Sequence, residues 1–105
     1  MKIVISQPMK GLSNEEIRKN REKVVKMLTE QGHEVIDSVF DYEDVPDIKN
    51  KPLYYLAKSI ELIANEADAV YFMEGWQEAR GCTAEHYVCR HYNVLKLYES
   101  PSFQD

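Results

Sequence analysis

Apolar and polar positions fall into blocks along this chain, and each block names an element. Lys2 to Ser6 is an apolar, β-branched run of the kind found in a strand buried on both faces. Gln7-Pro8-Met9-Lys10-Gly11 interrupts it as a loop, with Pro8 and Gly11 as the punctuation. Ser13-Asn14-Glu15-Glu16 has capping-box spacing, and Ile17, Val24 and Leu28 then recur on one helical face, so a helix is predicted over 13–31 with Gly32 as its stop. His33 to Asp37 reads as a short second strand. Ser38 to Lys51 is polar and acidic, contains Pro46 and is followed by Pro52, so it reads as a long loop. Leu53, Leu56, Ile60 and Ile63 mark an amphipathic helix over 53–65. Asp68 to Met73 is a third strand, Arg80 or Gly81 to Tyr92 a third helix, Val94 to Tyr98 a fourth strand, and Glu99 to Asp105 a polar tail.

Strands and helices that alternate in this way predict an α/β fold: a flavodoxin-like three-layer sandwich around a parallel sheet. Right-handed crossovers from a central first strand set the order of the four strands at 2-1-3-4. The switch point then lies between the first and third strands, where open α/β sheets bind ligands. Two loops leave those strands, Gln7 to Leu12 and Glu74 to Gly81. Lys10, Trp76, Arg80 and Glu85 are therefore expected to line one concavity. Glu85 falls in the first turns of the third helix, where free N–H groups and the helix dipole favour an ionised carboxylate with a low pKa.

Composition narrows the function. A chain of 105 residues fits one domain, 1–105, and 44% apolar residues support a modest core that association would help to stabilise. A net charge of −5 argues against a nucleic-acid polymer as partner, while leaving room for one nucleotide held by a few basic groups. No apolar run approaches the ~20 residues that span a membrane. Met1 to Ser6 is too short and strand-like for a signal peptide, so a cytoplasmic location is the expectation. Cys82 and Cys89 lie about 10 Å apart along one helix, too far for a disulfide.

Two segments carry a resemblance. Ser6-Gln7-Pro8-Met9-Lys10-Gly11 is similar to a Ser-Gly-Pro-x-x-Gly loop. Gly75-Trp76-Gln77-Glu78-Ala79-Arg80-Gly81-Cys82-Thr83-Ala84-Glu85 is similar to a Gly-Trp-x-x-(Ser/Ala)-Arg-Gly-x-x-x-Glu pattern. Together they resemble the small, mostly uncharacterised bacterial and phage branch of the nucleoside 2-deoxyribosyltransferase superfamily, with matching element spacing from Lys2 to about Tyr98. The resemblance implies cleavage of an N-glycosidic bond or transfer of a 2-deoxyribosyl group, with Glu85 as the nucleophile that attacks C1′ of a nucleoside or nucleotide. A covalent intermediate divides one hard displacement into two easier ones, and a carboxylate stabilises the oxocarbenium-like transition state. It also implies a homo-oligomer, and a chemistry that needs no metal or organic cofactor. The chain departs from the pattern at three points. Val4 stands where active relatives have a tyrosine, Gln7 stands where the loop has glycine, and the acidic residue of the helix before the third strand falls near Ser59, with Glu61 close by.

Several residues admit more than one reading. Lys10 with Gly11 is either a phosphate-binding loop or an exposed turn. Trp76, set on a loop, is either a ring that stacks on a base or a lid or subunit contact. Arg80 either grips an anion or pairs with Glu74 or Glu78. Pro8 and Met9 set the turn and line a wall. Cys82, His86 and Cys89 share a helical face, but one helix supplies only part of a zinc site. Arg18, Lys19, Arg21, Lys23 and Lys26, interleaved with Glu15, Glu16 and Glu22, read as a solvated face with i,i+4 pairs. Tyr42, Tyr54 and Tyr55 either close over a base or pack on a second subunit. Three functions follow from this reading: the glycosyl-transferring enzyme, a nucleotide-binding module without catalysis, and an interaction protein.

Overall fold

A computed structural model describes residues 1–37 and 47–100. In chain order the elements are β1 (Lys2–Ser6), α1 (Asn14–Glu30), β2 (Glu34–Ile36), α2 (Lys51–Glu66), β3 (Ala69–Phe72), a short 3-10 turn (Trp76–Glu78), α3 (Arg80–His91) and β4 (Leu95–Tyr98). The strands form one parallel sheet in the order β2-β1-β3-β4. This is the expected α/β, flavodoxin-like arrangement. Register runs from Ile3 opposite Ala69 to Ser6 opposite Phe72, so β1 and β3 end level with each other.

The two faces of the sheet follow from the two-residue period of a strand. Val4, Val70 and Phe72 face α2 and α3, where Ile36, Ile63, Trp76, Cys82 and Cys89 complete a core. Ile3, Ile5, Ala69, Tyr71 and Met73 face α1 and pack on Val24 and Leu28. Residues 3–5 and 69–72 are therefore apolar throughout, because both faces of β1 and β3 are covered. The crossover through α1 and the crossover through α2 run in opposite directions along the sheet. Right-handedness then sends the two helices to opposite faces and leaves a gap above the end of β1.

Helix ends obey local rules. The Ser13 hydroxyl accepts from the Glu16 amide at 3.2 Å, and the Glu16 side chain accepts from the Ser13 amide at 3.4 Å. At the other end of α1, the His33 amide donates to the Leu28 carbonyl and the Gly32 amide to the Thr29 carbonyl, with Gly32 at φ +88°. Lys51, not Leu53, begins α2, because Asn50 caps it through the Leu53 amide at 3.1 Å and Pro52 is accommodated in the first turn. Gly75, at φ +90°, turns the chain out of β3, and a Cβ there would meet Pro8 Cγ at 3.7 Å. The loops after β1 and β3 therefore run close together. Among the described residues, no helix is long and apolar enough to cross a membrane. Tyr42, Pro46 and the tail beyond Ser100 lie outside the described residues.

Candidate functional site

Ser6 and Gln7 leave β1 on opposite sides, as consecutive strand residues must. Ser6, buried, turns to the α2 and α3 face and donates from Oγ to Glu85 Oε1 at 2.7 Å. Gln7 turns to the α1 face and donates from Nε2 to the Ile17 carbonyl at 2.7 Å. Its Oε1 is buried without a hydrogen-bond partner among the described residues. The last residues of β1 thus tie together the two helical layers that border the gap.

Glu85 is the centre of the site. It lies on the second turn of α3 with 7% of its surface exposed, bonded to Ser6 and with the Ser59 side chain of α2 beside it in the cleft wall. Burial raises its pKa above the ordinary carboxylate value, and the two serine hydroxyls oppose that rise. The expectation of a low pKa is therefore not met. Glu85 is the sixth residue of α3, counted from Arg80, whereas the free N–H groups belong to the first turn. Dipole stabilisation fades by that depth and desolvation prevails.

Around this carboxylate opens a cleft of about 930 Å³. Ile5, Gln7 and Met9 form its floor and lip at the end of β1. Asn14, Ile17, Arg18 and Arg21 of α1 make one wall. Pro52, Tyr55, Leu56 and Ser59 of α2, with Gly81 and Glu85 of α3, make the other. Leu12 and Asp37 complete the rim. A Cβ on Gly81 would touch nothing within 4 Å, so the missing side chain leaves open space beside Glu85. The volume lies at the upper end of small-molecule sites.

The expected site residues separate into four groups. Gln7, Met9, Gly81 and Glu85 line the cleft, and Ser6 reaches it through Glu85. Pro8 and Gly75 lie where the two loops approach each other. Lys10, Gly11 and Arg80 are exposed and lie outside the cleft wall, so of the four residues expected to share a concavity Glu85 alone lines it. Trp76 departs furthest from expectation. The 3-10 turn folds it back onto the sheet at 7% exposure, where its ring stacks on His86 at 4.1 Å between centroids and packs on Phe72 and Tyr98. Neither a base-stacking ring nor an exposed subunit contact fits that position.

His86 and the cysteines are explained by packing. His86 shares a 2.7 Å hydrogen bond with the Tyr98 hydroxyl, in addition to its stack on Trp76. Burial pushes both Cys82 and Cys89 up to about 11, which keeps them as thiols. Among the described residues, no cluster of His, Cys, Asp and Glu has an arrangement that could hold a metal.

Sequence reasoning passed over the α1 wall. Asn14, Ile17, Arg18 and Arg21 recur at intervals of three and four, which is the mark of one helical face. The i,i+4 pairs are present in Lys19–Glu15 at 3.3 Å and Arg18–Glu22 at 4.0 Å. Arg21, however, is half-buried at the cleft, where burial lowers its pKa and the charge of Asp37 opposes that effect. Ser59, not Glu61, lines the cleft with Glu85, since Glu61 is exposed.

No curated protein and no solved structure matches the chain. A family model described as a domain of unknown function (DUF4406) matches residues 1–98, and the chain belongs to that family.

Proposed function

We propose that the protein cleaves the N-glycosidic bond of a nucleoside or nucleotide, with Glu85 as nucleophile, as its resemblance to the nucleoside 2-deoxyribosyltransferase superfamily implies. One observation carries this reading: a buried carboxylate, held by the Ser6 hydroxyl at the end of β1, lines a nucleotide-sized cleft at the switch point of the sheet. In the first step a Glu85 carboxylate oxygen bonds to C1′ while the C1′–N bond breaks. Its electron pair leaves with the base, which takes up a proton from water. In the second step water, or a second base, attacks C1′ and restores the carboxylate. The Ser6 hydroxyl orients the carboxylate, and Ser6 and Ser59 both favour its charged form. Catalysis requires Glu85 ionised, so its raised pKa sets a lower limit to the active pH range.

A second reading is a nucleotide-binding module without catalysis. The Ser59 side chain favours it, because a hydroxyl lines the cleft with the nucleophile where active relatives carry a carboxylate. The two readings part on one experiment. The protein is incubated with ribo- and deoxyribonucleosides and their 5′-monophosphates, and released base is measured by chromatography. Base release that is lost in Glu85→Gln is the expected result. Binding of a nucleotide without release gives the module reading the field. Release at the wild-type rate by Glu85→Gln would remove Glu85 as the nucleophile.

A further inference from the structure

The two walls of the cleft differ in charge. The α3 and α2 wall contains Glu85 and Ser59, while the α1 wall contains two arginines, Arg18 and Arg21. The chain as a whole carries −5, so this basic wall runs against its overall charge. Arg21 is half-buried at the cleft, where burial weakens the hydration of its charge. Asp37 at the rim answers one positive charge. Glu22 approaches Arg18 at 4.0 Å, but both side chains are about 70% exposed, and such a pair holds its partner weakly. Among the described residues of this wall and its rim, the two arginines outnumber the one carboxylate that lines the cleft beside them, Asp37. Lys10, the basic residue of the β1 loop, is exposed and outside it.

We infer that Arg18 and Arg21 hold the phosphate of a nucleoside 5′-monophosphate on the α1 wall, across the cleft from Glu85. This inference rests on the glycosidase reading for the rest of the ligand and deepens it by naming the substrate class. Planar guanidinium groups on one helix face suit a phosphate monoester, which offers several acceptor oxygens. Tyr55 and Leu56 supply an apolar surface for the base on the opposite wall. With the phosphate at one wall, the sugar spans the floor and its C1′ comes to Glu85. The anchor is remote from the reacting bond, so its binding energy serves to position the sugar.

The test is calorimetric binding to the Glu85→Gln protein, which keeps the shape of the cleft and stops turnover. The probes are the common 2′-deoxyribonucleoside 5′-monophosphates, their parent nucleosides and inorganic phosphate. A monophosphate is expected to bind at least about tenfold more tightly than its nucleoside, the scale of hydrogen bonds to charged groups. That ratio is expected to fall about tenfold with Arg21→Met, which keeps the aliphatic stem, and to fall with Arg18→Gln, a change at an exposed position that keeps the test open if Arg21→Met does not fold. Lys19→Gln removes the same charge from the outer side of α1 and is expected to leave the ratio unchanged. A ratio near one, a ratio indifferent to both arginines, an equal fall with Lys19→Gln, or no binding of any probe would each overturn the inference. Base release by the wild type is scored separately. Nucleosides and monophosphates cleaved with equal efficiency would remove the phosphate site and leave the glycosidase. A phosphate preference without base release would do the reverse.

Discussion

Replacing Glu85 by Gln should make the protein more stable at neutral pH, and the gain should vanish in acid. Glu85 titrates at an ordinary 4.5 when unfolded and at a higher pH when folded, because burial disfavours its charge. Below about pH 4.5 both states hold the proton and the carboxyl has no net effect. Above that value the unfolded chain releases the proton while the folded protein keeps it. Folded protein then binds more protons, and stability falls as pH rises, by up to about 1.4 kcal/mol per pH unit for one proton. The fall ends at the folded pKa, above which both states are ionised and the whole desolvation cost is present. Glu85→Gln has no such dependence. Its Oε1 can accept from Ser6, so packing and that hydrogen bond are kept. Urea unfolding of both proteins from about pH 4 to pH 8 measures the difference. The chain has one tryptophan, and its burial in the core makes its fluorescence a suitable signal. The wild-type protein should lose stability relative to the variant as pH rises from about 4.5. If instead it gains on the variant over that range, the serine hydroxyls outweigh burial and the site holds an ionised carboxylate at rest.

Three further outcomes follow from the same geometry. If Glu85 acts as the nucleophile, the acid limb of kcat/KM should lie above the ordinary carboxylate value of 4.5, and a pH–rate profile with its acid limb at or below that value would contradict the burial argument. Ser6→Ala leaves Glu85 without its 2.7 Å donor, so it should cost roughly 1.5–3 kcal/mol at neutral pH and shift the acid limb of activity upward; urea titration and the rate profile measure the two effects. Trp76→Ala should cost roughly 3–5 kcal/mol, because it empties a buried site between Phe72, His86 and Tyr98, and thermal unfolding by circular dichroism would show a near-neutral effect if the ring were only a surface lid.

The parts of this protein that are legible in its sequence are the local ones. A β-branched run buried on both faces, a Ser13–Glu16 capping box and a glycine stop each depend on a few neighbouring residues, so the elements and their order could be read directly. Handedness then converts that order into the sheet arrangement 2-1-3-4 and marks the end of β1 as the crevice. Glu85 and Gly81 could be assigned to it because they follow β3 at short range. What faces them could not. Ser59 meets Glu85, and Arg18 and Arg21 reach the opposite wall, only once α1 and α2 have been laid on opposite faces of the sheet at a fixed rotation about their own axes. Helical periodicity gives the spacing of such residues but not whether their face meets solvent or a cleft. Trp76 is the same lesson in reverse: a loop residue by position became core because the 3-10 turn carried it onto Phe72. The charge state of Glu85 also belongs to the tertiary structure, since helix position alone favours ionisation and only the packing of three elements around the carboxylate makes desolvation the larger effect.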